Sequence, residues 1–169
     1  MWDARTGRTV WVLDGHAKQI TAMDWSPNGY QLATGSADDS IKIWDIRKLA
    51  CAYTIPAHKS LVSDLKFFRH ESERPSLADP LAPAPMDTSS DAPTPAPSAS
   101  AVQKSGLYLV SSGYDSTVKI WSADDWLLVK SIITDSGKVM GVDVDSKGEY
   151  LASGSTNRSF QLFGREDAF

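Results

Sequence analysis

The sequence predicts an all-β fold built from a repeated unit of about 42 residues, and three sets of landmarks carry the prediction. Trp2, Trp44, Trp121 and Phe163 are spaced by 42, 77 and 42 residues. His16, His58 and Asp135 repeat the 42 and the 77, and Asp38, Asp115 and Asn157 repeat the 77 and the 42. Because 77 is 42 plus 35, one unit carries an insertion of 35 residues. A fixed period of this size marks stacked supersecondary units, none of which can bury its apolar face alone.

The first full unit runs from Gly15-His16 through Ser26-Pro27-Asn28-Gly29, Leu32-Ala33-Thr34-Gly35-Ser36 and Asp38 to Ile41-Lys42-Ile43-Trp44-Asp45. Short runs of Ile, Val, Leu and aromatic residues, punctuated by Gly, Asn, Asp and Ser, predict strands joined by tight turns. Asn28-Gly29 predicts a two-residue hairpin turn, since both positions accept positive φ. Ser146-Lys147-Gly148 takes its place in the third unit. The runs Ile41–Trp44, Val118–Trp121 and Phe160–Phe163 predict strands packed on both faces, with the stem of Lys42, Lys119 or Gln161 buried and its head in water. Cys51 falls in a further strand and is expected as a small core residue.

This order of residues resembles the WD-repeat family, whose fold is the β-propeller. The resemblance covers the chain apart from the insertion and the last few residues. It implies that residues 1–169 are the C-terminal blades of a partial propeller, about three of about seven. The chain opens and closes at the end of a third strand, so a longer parent protein is expected. An open crescent leaves strand edges and apolar faces bare, so the chain alone is expected to self-associate.

His16, Thr34 and Asp38 have the residue types of a catalytic triad, but with Trp44 they recur as His58, Ser111, Asp115 and Trp121. A triad is expected once, not once per unit. The resemblance implies a buried network in which carboxylate holds imidazole, imidazole meets hydroxyl and hydroxyl meets indole. Such a network satisfies groups that would each cost about 1–3 kcal/mol if buried alone, and it holds one strand register. The third unit departs from the set: Asp135, Asn157 and Phe163 replace His, Asp and Trp, and only Ser153 keeps its type. Its blade is expected to lack the network and to be the least rigid.

The insertion spans residues 69–105, 37 residues standing where the first unit has the two residues Pro27-Asn28, and holds seven of the nine prolines. Twenty-three of its residues are Pro, Ala, Ser or Thr and none is aromatic, so it is expected to be disordered. Thr94-Pro95 and Ser89-Ser90-Asp91 are candidate phosphorylation sites within it. His70, at its start, has no second ligand nearby in sequence.

Composition narrows the function. The chain is 41% hydrophobic and 22% charged, and no apolar run approaches the roughly 18 residues of a membrane span. Met1 to His16 lack the basic patch and apolar core of a signal peptide. A single cysteine permits no internal disulfide and no cysteine zinc cluster, which suits a reducing compartment. A net charge of −4 argues against broad nucleic-acid binding. No phosphate loop, metal cluster or cofactor motif is present, so no enzyme, metal or cofactor is expected.

Ser26-Pro27-Asn28-Gly29-Tyr30, Tyr53-Thr54-Ile55-Pro56-Ala57-His58 and Gly137-Lys138-Val139-Met140-Gly141 are similar to one subfamily. That is the pre-mRNA-processing factor 4 family, the WD-repeat subunit of the U4/U6 small nuclear ribonucleoprotein. The resemblance implies a nuclear, non-catalytic scaffold of the U4/U6 and U4/U6·U5 tri-snRNP that acts in pre-mRNA splicing. Its partners would be other tri-snRNP proteins, with U4/U6 RNA reached through the particle, and no membrane or small-molecule substrate. Propeller geometry puts Lys18, Lys59, Tyr114, Lys138 and Arg158 on one rim, where basic and aromatic side chains suit protein or phosphate contacts. The alternative is a substrate receptor of a cullin-type ubiquitin ligase. It rests on the Trp-Asp-x-Arg pattern of Trp44-Asp45-Ile46-Arg47 and Trp2-Asp3-Ala4-Arg5.

Overall fold

The computed structural model describes residues 2–69, 105–135 and 137–164. The expected disorder of the insertion, its candidate phosphorylation sites and His70 lie outside these residues. The flanks of the insertion are paired: Arg69 ends one strand, and Leu107 begins the next directly opposite it.

Every described strand pairing is antiparallel, and the strands fall into a short ladder and three sheets. The ladder joins β1 (Trp2–Asp3) to β2 (Arg8–Thr9). Sheet I comprises β3 (Ile20–Trp25), β4 (Gln31–Ser36), β5 (Ile41–Asp45) and β6 (Ala50–Ile55), in that order. Sheet II repeats the order with β7 (Val62–Arg69), β8 (Leu107–Gly113), β9 (Thr117–Ser122) and β10 (Leu128–Ile133). Sheet III has three strands, β11 (Val139–Val144), β12 (Tyr150–Ser155) and β13 (Phe160–Gly164). Each sheet corresponds to one sequence unit, as expected of propeller blades.

The sheets stack face to face. Ala33, Ile41 and Ile43 of sheet I meet Val62, Leu65, Phe67 and Leu109 of sheet II in one buried cluster. Val110, Val118 and Ile120 of sheet II meet Val139, Val142 and Leu151 of sheet III in another. Burying each such side chain contributes about 1.5–3 kcal/mol, so these two seams hold the stack. Gly35 lets sheets I and II close up: a Cβ there would sit 2.7 Å from Val62 Cγ1. Side chains also clasp the backbone of the next sheet. The Thr21 hydroxyl donates to the Val62 carbonyl, and the Ser63 hydroxyl donates to the Val139 carbonyl at 2.7 Å. The Phe67 N–H donates to Asp24 at 2.7 Å and the Val142 N–H to Asp64 at 3.1 Å.

Three local expectations are corrected. Asn28-Gly29 is not a two-residue turn. Gly29 alone takes positive φ (81°), and its N–H closes a four-residue turn on the Ser26 carbonyl at 3.0 Å. Pro27 confines its own φ to negative values and so sets the turn one residue earlier. Cys51 lies in β6, but it is exposed, because β6 is the outermost strand of sheet I and pairs only with β5. Ile41, Ile43, Val118 and Ile120 are buried as predicted, whereas Phe160 and Leu162 are exposed, since sheet III is covered on one face only. Lys42 Nζ donates to the Thr54 hydroxyl at 3.0 Å in an exposed setting and Lys119 Nζ to the Ala57 carbonyl at 2.5 Å, whereas Gln161 Oε1 is buried without a hydrogen-bond partner among the described residues.

Candidate functional site

The structure brings both polar sets together. In sheet I, His16 Nδ1 lies 2.9 Å from Asp38 Oδ2, and its Nε2 lies 2.8 Å from the Thr34 hydroxyl. Trp44 Nε1 donates to that hydroxyl at 2.8 Å. In sheet II, His58 Nδ1 lies 3.0 Å from Asp115 Oδ1, and its Nε2 lies 2.9 Å from the Ser111 hydroxyl. Trp121 Nε1 donates to that hydroxyl at 3.0 Å.

Donor counting sets the direction of each chain. An indole N–H only donates, so the hydroxyl oxygen accepts and its own proton is available for the His Nε2. An ionised carboxylate only accepts, so Nδ1 carries the proton. In sheet II, burial pushes the His58 pKa below its usual value, against the pull of Asp115, which favours the neutral ring this direction requires. Desolvation would raise Asp115, but the Lys59 N–H, the Thr117 hydroxyl and His58 hold its pKa below the usual carboxylate range. Asp38 is likewise held low, the Ser40 hydroxyl, His16 and the Ala17 N–H outweighing its desolvation. Gly113 supports the sheet II site by absence: a Cβ there would lie 2.5 Å from His58 Nδ1. Thr34 and Ser111 are both buried, at 4% and 0% exposure, and each hydroxyl is held between an imidazole and an indole.

Sheet III keeps half of this design. Asn157 Oδ1 accepts from the Ser159 N–H at 3.1 Å and its hydroxyl at 2.5 Å. Asp38 makes the same turn bonds to Ser40, and Asp115 to Thr117. The following residues Asp39, Ser116 and Arg158 all take positive φ (68°, 64° and 67°). The inner half is absent among the described residues. Ser153 Oγ is buried without a hydrogen-bond partner, and Asp135 is exposed.

The five rim candidates fall on loops at one end of the sheets, before the first strand or between the second and third. Backbone bonds tie these loops together: the Ala37 N–H to the Gln19 carbonyl, Tyr114 to Leu61 and Thr156 to Lys138, each at 3.0 Å. Lys18, Lys59, Lys138 and Arg158 are exposed. Lys138 Nζ stands 5.1 Å from the centre of the Tyr114 ring, so two candidates from adjacent sheets form one cation–π contact.

Sequence reasoning missed a second cationic contact. The Arg47 guanidinium lies 3.8 Å over the Tyr30 ring, and its Nη2 donates to Asp45 at 2.7 Å. Arg47 first, against desolvation, holds the Asp45 pKa down to about 2. The arginine of the Trp-Asp-x-Arg pattern is thus anchored within its own sheet. Among the described residues, no group of three or more His, Cys, Asp or Glu is placed to hold a metal ion. Nor, among the described residues, is any helix long and apolar enough to cross a membrane.

Comparison with known proteins agrees with this architecture. The model of the "WD domain, G-beta repeat" family matches residues 7–45, 96–122 and 127–163. Pre-mRNA-processing factor 19 of Oryza sativa subsp. japonica is 32% identical over 168 residues, which is 97% of this chain and 25% of that protein. Pre-mRNA-processing factor 19 homolog 2 of Arabidopsis thaliana is 28% identical over 170 residues, again 97% of this chain and 25% of that protein. The U4/U6 small nuclear ribonucleoprotein PRP4 of Saccharomyces cerevisiae is 34% identical over 58 residues, 34% of this chain and 12% of that protein. The chain therefore spans about a quarter of the length of these two pre-mRNA-processing factor 19 relatives.

Proposed function

Since the chain belongs to the WD-repeat family, we propose that it serves as a non-catalytic interaction scaffold in pre-mRNA splicing, as part of the U4/U6 snRNP and U4/U6·U5 tri-snRNP. The observation that carries the scaffold reading is the repetition of one satisfied polar network in adjacent sheets. Side chains spent on holding strand register leave the exposed loops to meet partners. The splicing assignment draws support from relatives whose names include pre-mRNA-processing factor 19 and U4/U6 snRNP PRP4. It places the chain in the nucleus, among other tri-snRNP proteins and near U4/U6 RNA held by the particle. No cofactor is needed.

The rim of Lys18, Lys59, Tyr114, Lys138 and Arg158 is the surface that would meet those partners. Its charge and its Tyr114–Lys138 contact suit an acidic protein surface or a phosphate. Precipitation of the endogenous protein with an antibody to residues 75–100, followed by measurement of co-purifying small RNAs, tests the reading. Enrichment of both U4 and U6 RNA is expected. Enrichment of other spliceosomal RNAs without U4 would move the protein to a different splicing complex. Recovery of a cullin adaptor in place of RNA, lost on Arg47→Ala, would replace the proposal with the ubiquitin-ligase reading.

A further inference from the structure

Asn28 and Asn157 are the asparagines of the chain, and Asn28 alone precedes a glycine. An Asn-Gly pair is among the most labile sequences a protein carries. The backbone nitrogen after the asparagine attacks the side-chain amide carbon, and a glycine, lacking Cβ, hinders that approach least.

In the folded chain the pair is held away from this reaction in three ways. Ser26-Pro27-Asn28-Gly29 form a turn closed by the Gly29 N–H on the Ser26 carbonyl at 3.0 Å, so the proton that the nucleophile must lose is engaged. Asn28 keeps negative φ and Gly29 takes 81°. That makes the turn type I, which holds ψ of its third residue near about 0°. At this ψ the Gly29 nitrogen is rotated away from Asn28 Cγ, and ring closure requires a large backbone rotation. The carboxamide is also clamped. Its Oδ1 accepts the Tyr30 and Gln31 N–H groups, each at 3.1 Å, and its Nδ2 donates to Gln31 Oε1 at 2.6 Å.

The turn itself does not require this amide. Sheet III closes the same turn with Asp145-Ser146-Lys147-Gly148, in which the Gly148 N–H donates to the Asp145 carbonyl at 3.0 Å and Gly148 takes φ of 73°. There Asp145 Oδ1 takes the Glu149 and Tyr150 N–H groups, at 2.6 and 3.0 Å. In sheet I the residue in that place is Ser26, whose shorter side chain meets only the Asn28 N–H, at 3.4 Å. The task of capping the second strand passes to Asn28. A labile amide therefore stands in one turn at a place where the other turn has a lysine.

We propose that Asn28 is a latent deamidation site, shut by the native turn and released by its local opening. Once the turn opens, the Gly29 nitrogen gives its proton to solvent base and bonds to Asn28 Cγ. The Cγ–Nδ2 bond breaks, ammonia leaves, and a cyclic imide remains. Water opens the imide at either carbonyl, to aspartate or to isoaspartate. Aspartate keeps an acceptor for the Tyr30 and Gln31 N–H groups, adds a negative charge and loses the donation to Gln31. Isoaspartate runs the main chain through Cγ and so lengthens the backbone inside the turn. The Gly29–Ser26 bond then no longer fits beside the pairing of the Ser26 N–H with the Gln31 carbonyl at 2.9 Å. Ammonia is not regained, so the β3–β4 hairpin keeps a permanent mark of having opened.

The test incubates the full chain at mildly alkaline pH, native or in guanidinium chloride, and follows the tryptic peptide 19–42 by mass spectrometry with separation of the isoaspartyl form. The native rate is the unfolded rate scaled by the fraction of time the turn is open, and a slowing of at least about tenfold is expected. Native and unfolded rates within about twofold of each other would overturn the proposal. Two variants separate the turn from the fold as a whole. Gln31→Ala removes the Nδ2 clamp, one hydrogen bond, and should raise the native rate about 2–10-fold. Ser111→Ala removes the hydroxyl between His58 and Trp121 in sheet II, far from the turn in the hydrogen-bond network, and should raise it less. A native rate unmoved by Gln31→Ala, or raised as much by Ser111→Ala, would place the protection in global folding and reject the turn as the gate.

Discussion

Ser111→Ala is expected to be among the most damaging single-atom deletions in the chain. The Ser111 hydroxyl accepts from Trp121 Nε1 at 3.0 Å and faces His58 Nε2 at 2.9 Å. Both rings are buried, so the substitution strands one donor and one acceptor away from water. Each such orphan costs about 1–3 kcal/mol, and some relaxation is available, so a loss of about 2–4 kcal/mol is expected. That corresponds to a fall in Tm of about 4–16 °C for a domain of this size. The chain contains its own control. Ser153 holds the same place in sheet III, is 2% exposed, and has no hydrogen-bond partner among the described residues. Ser153→Ala removes a buried hydroxyl that satisfies nothing, so its effect is expected to lie between zero and about 1 kcal/mol of stabilisation. Urea unfolding followed by tryptophan fluorescence and far-UV circular dichroism measures both. Adding Trp121→Phe to Ser111→Ala removes one orphan, so the double variant should lose less than the sum of the singles. Equal losses for Ser111→Ala and Ser153→Ala would refute the claim that the network, rather than the site's packing, carries the energy.

Gly113→Ala puts a Cβ 2.5 Å from His58 Nδ1 and is expected to cost about 1–3 kcal/mol, whereas Gly154→Ala, with nothing within 4 Å of the added carbon, should be near neutral; thermal melts compare them. The sheet II network also predicts a pH dependence. Burial lowers the folded-state pKa of His58, so its contribution is complete above the unfolded value of about 6.5 and is lost as pH falls below it. Asp38 and Asp115 are depressed as well, so theirs holds above about 3.9 and disappears as pH drops toward their folded values. Melting temperature against pH should show two declines, and His58→Gln should abolish the upper one and shift the lower, since His58 helps to hold Asp115 down. At the rim, Lys138→Glu with Arg158→Glu is expected to leave Tm within about 2 °C while weakening recovery of U4 and U6 RNA at least about tenfold; unchanged recovery would remove these residues from the interface.

The 42-residue period made the fold legible because it repeats chemistry as well as hydropathy. A His, a hydroxyl, a carboxylate and a Trp returning in step require one backbone geometry each time, and sheets I and II supply it. What the period does not encode is a strand's neighbours. Ala50–Ile55 reads as an apolar strand, yet it is the outer edge of its sheet, which leaves Cys51 in solvent. Phe160 and Leu162 read as core by analogy with Ile41 and Ile43, but burial needs a second sheet on that face. Asn157 reads as a lost carboxylate, although an amide oxygen caps the Ser159 turn as well as a carboxylate caps Ser40 or Thr117.

Contacts that do not repeat had no periodic signal. The Asp24 and Asp64 clasps sit at different registers: Asp24 corresponds to Lys66, and Asp64 to Ala22 and Gly141. Arg47 over Tyr30, and Lys138 over Tyr114, join residues 17 and 24 positions apart across turns or sheets. This difference separates architecture from recognition. A feature present in both sheets I and II answers a demand of the repeated architecture, so it says little about a particular partner. Lys138 and Arg158 belong to the sheet that kept its turn and lost its inner anchor. Their loops are positioned by Asn157 and the Thr156–Lys138 backbone bond rather than by a buried imidazole. With fewer internal restraints, these loops can adjust to a bound surface at lower cost than their counterparts in sheets I and II, and the sheet III side of the rim is where specificity should concentrate.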